Sequence, residues 1–159
     1  GYLSRLFCSN EMRNLGWGGA ILQINKTFTK KCGSIRGMHF QLPPATESKI
    51  IVCLKGEIFD VVVDIRKESK TFLKYISVML KSDLNNMLLI PKGFAHGFQT
   101  LNDNVELLYL HDHEYNPNLE RGINPLDPLI NVKWPLKNSI ISEKDSSRKV
   151  IDKLEFKGI

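Results

Sequence analysis

The chain has 159 residues, 42% of them hydrophobic and 25% charged, which suits one domain with a sizeable apolar core. No apolar run approaches the roughly 20 residues of a membrane-spanning helix, so a membrane partner is set aside. Lys and Arg exceed Asp and Glu by 22 to 17, a net charge of +5 that suits an anionic ligand, but the basic residues are scattered rather than interleaved with aromatics, so nucleic acid is set aside too.

The sequence opens at Gly1 without Met, as a trimmed end would, and no secretory leader is visible in it. Cys8, Cys32 and Cys53 are odd in number and lack C-x-x-C spacing. They define neither a disulfide framework nor a zinc knuckle, and a reduced, cytoplasmic setting is expected.

In chain order, the first strand is expected at 19–25, GAILQIN, and the second at 34–42, SIRGMHFQL. Residues 49–65, KIIVCLKGEIFDVVVDI, read as two β-rich runs around Lys55-Gly56-Glu57, a short hairpin signal. Much of the second run is apolar on both faces, as expected between packed sheets. Further strands are expected at 72–80, 85–90, 94–101 and 105–111, bounded by turn residues such as Ser82-Asp83 and Asn102-Asp103-Asn104. About eight closely spaced strands, with little helical periodicity before residue 115, argue an all-β sandwich or barrel, with a jelly roll the natural form. After Tyr115, Pro117, Pro125, Pro128 and Pro135 break the chain into loops and short helical pieces, and the charged tail from Ser142 packs outside or frays. The whole of 1–159 is expected to form a single domain, its core at about 15–115 and a loop and helical segment at 116–159.

Two of the four histidines stand in apolar strands, His39 in IRGMHFQ and His96 in PKGFAHGF. Pro91, Gly93 and His96 match half of a metal-binding jelly-roll signature, P-x-G-x-x-H. The other half requires H-x-H and a later glutamate. Here Gln41 follows His39, with Ala45 and Thr46 downstream, so the second histidine and the glutamate are missing and no metal is expected. A neutral, hydrogen-bonded core role remains open for both histidines. Against it, Gln41 shares the face of His39 by strand alternation. Arg36 would face the other way unless Gly37 bends the strand. A wall of His, Gln and Arg inside a barrel needs either internal partners or a ligand.

IRGMHFQLPP, the run 49–75, LIPKGFAHGFQTL, LLYLHDHEYNPNLERGI, DPLINVKWPL and SEKD together resemble the dTDP-4-dehydrorhamnose 3,5-epimerases, in order over nearly the whole chain. The resemblance implies a cupin jelly roll, a homodimer and a reaction without metal or other cofactor. The implied substrate is the nucleotide-diphosphate sugar dTDP-4-dehydro-6-deoxy-D-glucose, inverted at carbons 3 and 5 to dTDP-4-dehydro-L-rhamnose. Inversion beside a ketone passes through an enolate, which calls for a base on one face, an acid on the other and a cation or donor at the oxygen. By resemblance His39 is the base, Asp145 its orienting carboxylate, Lys49 the oxyanion partner and Tyr109 the acid. Arg36, Gln23, Asn25, His96, Tyr115, Glu120, Gln41 and Lys144 match substrate-contacting positions, with Arg36 suited to the pyrophosphate. Taken alone, Asp145 reads as a surface acid, Lys49 as a strand end and Tyr109 as a core aromatic.

The N-terminal segment departs from the family pattern. The chain begins just after a usual phosphate-gripping arginine, Leu3 stands where an aromatic is usual, and Arg5 where glutamate is common. Two other readings stay open: a single-centre 3-epimerase of a related nucleotide-linked 4-keto sugar, and a non-catalytic nucleotide-sugar-binding cupin.

Overall fold

Two facing β-sheets account for most of the regular structure, in a computed structural model that describes residues 1–159 except Asn138 and Lys153. The strands are β1 (Gln23–Thr29), β2 (Ser34–Gln41), β3 (Lys49–Lys55), β4 (Glu57–Asp64), β5 (Tyr75–Lys81), β6 (Met87–Ile90), β7 (Phe94–Thr100), β8 (Val105–His111), β9 (Glu120–Gly122) and β10 (Ile140–Ile141). Two short helices, α1 (Ser9–Asn14) and α2 (Glu143–Ser146), flank them. One sheet runs β1-β8-β3-β6 and the other β10-β2-β7-β4-β5, with β9 also on β2. All pairings are antiparallel except the short β10–β2 contact. The expected all-β jelly roll is therefore the observed fold.

Side-chain alternation explains how the sheets meet. Ile51 and Cys53 of β3 and Leu107 of β8 face Ile58 and Val62 of β4 and Phe98 of β7 in the inter-sheet core. The opposite face of β4, Val61 and Val63, packs with Met38, Phe40, Ala95, Ile123 and Ile130. Thus β4 is apolar on both sides, but its second face is covered by the C-terminal segment rather than by another sheet. The tail packs on the outside: Phe156 meets Phe40 edge-on at 6.4 Å and stacks on Phe72 at 6.2 Å, and Ile159 pairs its backbone with Ile65 and Lys67. The N-terminal segment lies on the other sheet, where Met12 and Trp17 cluster with Ile50, Val52 and Leu110.

The structure corrects three expectations. Lys55-Gly56-Glu57 is not a hairpin: β3 pairs with β8 and β6, and β4 with β5 and β7. Gly56, at φ +81°, turns the chain from one sheet into the other, a conformation that favours glycine. The first strand runs 23–29 rather than 19–25, because it pairs residue for residue with β8 from Gln23 opposite His111 to Thr29 opposite Val105. One turn of helix, α1, also precedes the strands. No helix among the described residues is long and apolar enough to cross a membrane.

Candidate active site

At one end of the inter-sheet space the facing side chains turn from apolar to polar. On β8 the sequence of one face is Leu107, Tyr109, His111; on β3 it is Cys53, Ile51, Lys49; on β7 it is Phe98, His96. Of these, Tyr109, His111, Lys49, Phe98 and His96 line a cavity of about 260 Å³. Arg36, His39 and Gln41 line it from β2, Asn25 and Thr27 from β1, and Tyr115, Glu120 and Asp145 from the C-terminal half.

The bend in β2 is the local feature that assembles this wall. Arg36 pairs with Phe98 and His39 with His96, so three steps on β2 match two on β7. This bulge carries Arg36 onto the same cavity as His39, which strict alternation forbids. Gly37 sits in it at φ +110°, and a Cβ there would lie 2.6 Å from both Gly97 Cα and the His96 carbonyl oxygen. No side chain fits.

His39 Nε2 lies 2.7 Å from Asp145 Oδ1. Asp145 is buried on α2, a helix capped by Ser142, and the Gly37 amide donates to its other oxygen at 3.4 Å. Burial pushes the Asp145 carboxyl upward, but the hydrogen bond and charge of His39 outweigh it and hold the pKa at about 2. The tail acid that seemed a surface residue is thus the buried partner of His39.

A second pair stands on the same sheet. His96 Nε2 lies 2.9 Å from Asp60 Oδ2, and Asp60 is fully buried with its other oxygen unpartnered. Burial drives the Asp60 carboxyl upward against the pull of His96. Tyr109 faces these groups from the opposite sheet, its ring 6.1 Å from His96 and stacked 6.0 Å from His111. Burial, and then the charge of Asp60, push its phenol upward, so it holds its proton.

Lys49 Nζ is 2.7 Å from Glu47 Oε1, and Glu47 Oε2 is 2.8 Å from His111 Nδ1. At the mouth, Glu120 accepts from the Tyr115 hydroxyl at 2.8 Å and pairs with Lys144 at 2.7 Å. Arg36 is exposed toward the cavity, its Nε donating to Thr29 Oγ1 at 3.2 Å.

Ten of the twelve residues singled out in the sequence line this cavity; Gln23 and Lys144 do not. Gln23 accepts from the Tyr115 amide at 2.8 Å, and Lys144 anchors Glu120, so each acts on the wall from behind. Gln41 reaches the cavity but spends its amide on the backbone of Ala45, Glu114 and Asn116. Sequence reasoning missed Glu47, Asp60 and His111. Strand alternation could have found two of them: His111 is two residues from Tyr109, and Asp60 shares a face with Ile58 and Val62. Among the described residues no group of three or more His, Cys, Asp or Glu side chains is arranged to hold a metal ion.

Residues 1–153 match the family model for dTDP-4-dehydrorhamnose 3,5-epimerase. An enzyme of that description from Shigella flexneri is 45% identical over 76% of this chain and 67% of its own. A solved dTDP-4-dehydrorhamnose 3,5-epimerase from Bacillus anthracis, with TDP and PPi bound, superposes with a TM-score of 0.91. It is 34% identical and covers 95% of this chain and 86% of its own. A 3'-monoepimerase from Streptomyces bikiniensis in complex with dTDP-quinovose is also similar, with a TM-score of 0.85, 30% identity and coverage of 92% and 74%. A cupin-type sandwich whose polar end gathers a histidine–aspartate pair, a lysine and a facing tyrosine, matched to the family over nearly its whole length, is an isomerase-class enzyme, and the chain belongs to the dTDP-4-dehydrorhamnose 3,5-epimerase family.

Proposed function

We propose that the chain inverts carbons 3 and 5 of dTDP-4-dehydro-6-deoxy-D-glucose, with His39 as base and Tyr109 as acid. The observation that carries this reading is that the His39–Asp145 pair and Tyr109 enter one cavity from opposite sheets. His39, in its neutral form, removes the proton beside the C4 ketone, and the buried Asp145 carboxylate holds the ring and stabilises the imidazolium that forms. The Lys49 ammonium meets the charge that develops on the C4 oxygen. Tyr109 returns a proton to the carbon from the other face, and its high-lying phenol pKa keeps it protonated until the enolate arrives.

Arg36, exposed at the cavity rim, suits the diphosphate as a bidentate donor. Asn25, His96, Tyr115 and Glu120 contact the sugar and nucleotide, while Gln23, Gln41 and Lys144 shape the wall that does so. Residues 1–159 act as one domain, in the cytoplasm, where the three unpaired cysteines would stay reduced. The enzyme works as a homodimer, for which the exposed Leu22, Ile24 and Phe28 around edge strand β1 provide apolar surface.

The test is product stereochemistry. After incubation with the 4-keto sugar nucleotide, borohydride reduction and hydrolysis should release 6-deoxyhexoses of the L series. Products of the D series inverted only at carbon 3 would assign the chain to the single-centre reaction of the Streptomyces bikiniensis relative.

A further inference from the structure

We infer that Glu47 is a positioning residue for Lys49, itself held by His111, so that these three side chains act as one unit behind the oxyanion. The inference rests on the reading of Lys49 given above.

Lys49 and His111 sit directly opposite each other on neighbouring antiparallel strands. Glu47, in the connection from β2 to β3, reaches between them and gives one oxygen to each, at 2.7 Å and 2.8 Å. All three side chains are nearly buried, at 7%, 9% and 11% exposure for Lys49, His111 and Glu47. On the far side of the imidazole, Asn25 Nδ2 lies 3.4 Å from His111 Nε2. With the amide donating, Nε2 accepts and Nδ1 carries the proton donated to Glu47, so a neutral His111 satisfies both contacts.

A buried carboxylate is costly unless its oxygens are bonded, and both of these are. Burial pushes the Glu47 carboxyl up, but His111 and Lys49 outweigh it and hold the pKa at about 2. Glu47 is therefore ionised throughout the neutral range and supplies a fixed counter-charge. The remaining groups around Lys49 offer no substitute. Asp60, on the facing sheet, is committed to His96 and is pushed toward its neutral form by burial. Tyr109 is held protonated. His39 and Asp145 are paired with each other, and Arg36 adds positive charge. A buried ammonium deprived of Glu47 would give up its proton readily.

Glu47→Gln keeps the shape and removes the charge. We expect kcat to fall about 10- to 100-fold at pH 7.5, the scale of losing an aimed oxyanion partner, with KM changed less than about threefold. The kcat–pH profile should also fall on its alkaline side at lower pH than that of the native enzyme. Glu47→Asp, which retains the charge, should keep the native profile shape. A native kcat in Glu47→Gln, or a loss with an unaltered pH profile, overturns the inference; the second outcome marks a structural role only. Lys49→Met is measured alongside. Full activity there would sink the oxyanion reading itself, whereas an inactive Lys49→Met with a native-like Glu47→Gln sinks the inference alone. A second measurement needs no variant: imidazole ¹⁵N shifts of the native enzyme should show the His111 proton on Nδ1, donated to Glu47, with Nε2 accepting from Asn25. A proton on Nε2 with Nδ1 bare would contradict the arrangement.

Discussion

A histidine on an apolar strand is ordinarily a satisfied core residue, and His39 differs because its partner is a carboxylate that also faces a cavity. The same pairing makes Asp145 a contributor to stability with a definite pH window. Its folded pKa of about 2 lies below the ordinary carboxylate value of 3.8, so its stabilisation is fully present above about pH 4 and is lost as pH falls through 2. Asp145→Asn should therefore melt below the native protein at pH 7, and the gap should close as pH falls from 4 toward 2; a gap that persists unchanged at pH 2 would show that the loss is one of packing. Tyr109 belongs to the other sheet and acts later in the reaction. Tyr109→Phe should lower completed inversion by about 100-fold while reducing solvent exchange far less, as loss of a general acid does. Equal losses, read by proton NMR, would mean that Tyr109 only orients the sugar. At this level the sequence spoke unevenly. His39 and Gln41 announced a polar wall through strand alternation, and Arg36 joined it only through the bend that Gly37 suggested, while Asp145 looked like a surface acid until the family resemblance and then its burial distinguished it. Glu47 gave no periodic signal, because it sits in the irregular connection before β3.

Among the elements, β2 decides the site. Its bulge at Gly37 sets Arg36 and His39 on one cavity, and the glycine has no room for a Cβ. Gly37→Ala places a methyl at φ +110° against the β7 backbone, so the strand must shift. We expect a stability loss of about 2 kcal/mol or more and activity down at least about 100-fold, seen together in thermal melts and turnover, because a displacement of about 1 Å at a catalytic group costs that much. An active, stable Gly37→Ala would show that the bulge is incidental. Seven of the eight expected strands lie within a few residues of the observed ones, since their alternation and turn residues are local signals. The departures arose where partners decide. The first strand is set by its register with β8, and Gly56 marks a passage between sheets because β3 pairs with β6 and β8 while β4 pairs with β5 and β7, all of them later in the chain. No local pattern distinguishes a corner from a hairpin.

Across the whole molecule, the C-terminal segment ties the fold to the chemistry. It covers the second face of β4, carries Asp145 into the cavity on α2, and ends with Phe156 and Ile159 packed on the barrel. Phe156 is only partly buried, so Phe156→Ala should cost about 1–2 kcal/mol, below the 3–5 of a fully buried ring. That is a melting-point loss of about 3–6 °C, with turnover close to native at 25 °C. Loss of turnover with the melting point intact would mean that the tail reaches the site. The account's central claim is that His39 withdraws a proton from the sugar in a cavity where Tyr109 faces it. The most direct test follows proton NMR of dTDP-4-dehydro-6-deoxy-D-glucose in deuterated water with the native enzyme and with His39→Asn. The account predicts deuterium at carbons 3 and 5 with the native enzyme and none above background with the folded variant. Undiminished exchange in His39→Asn would contradict it.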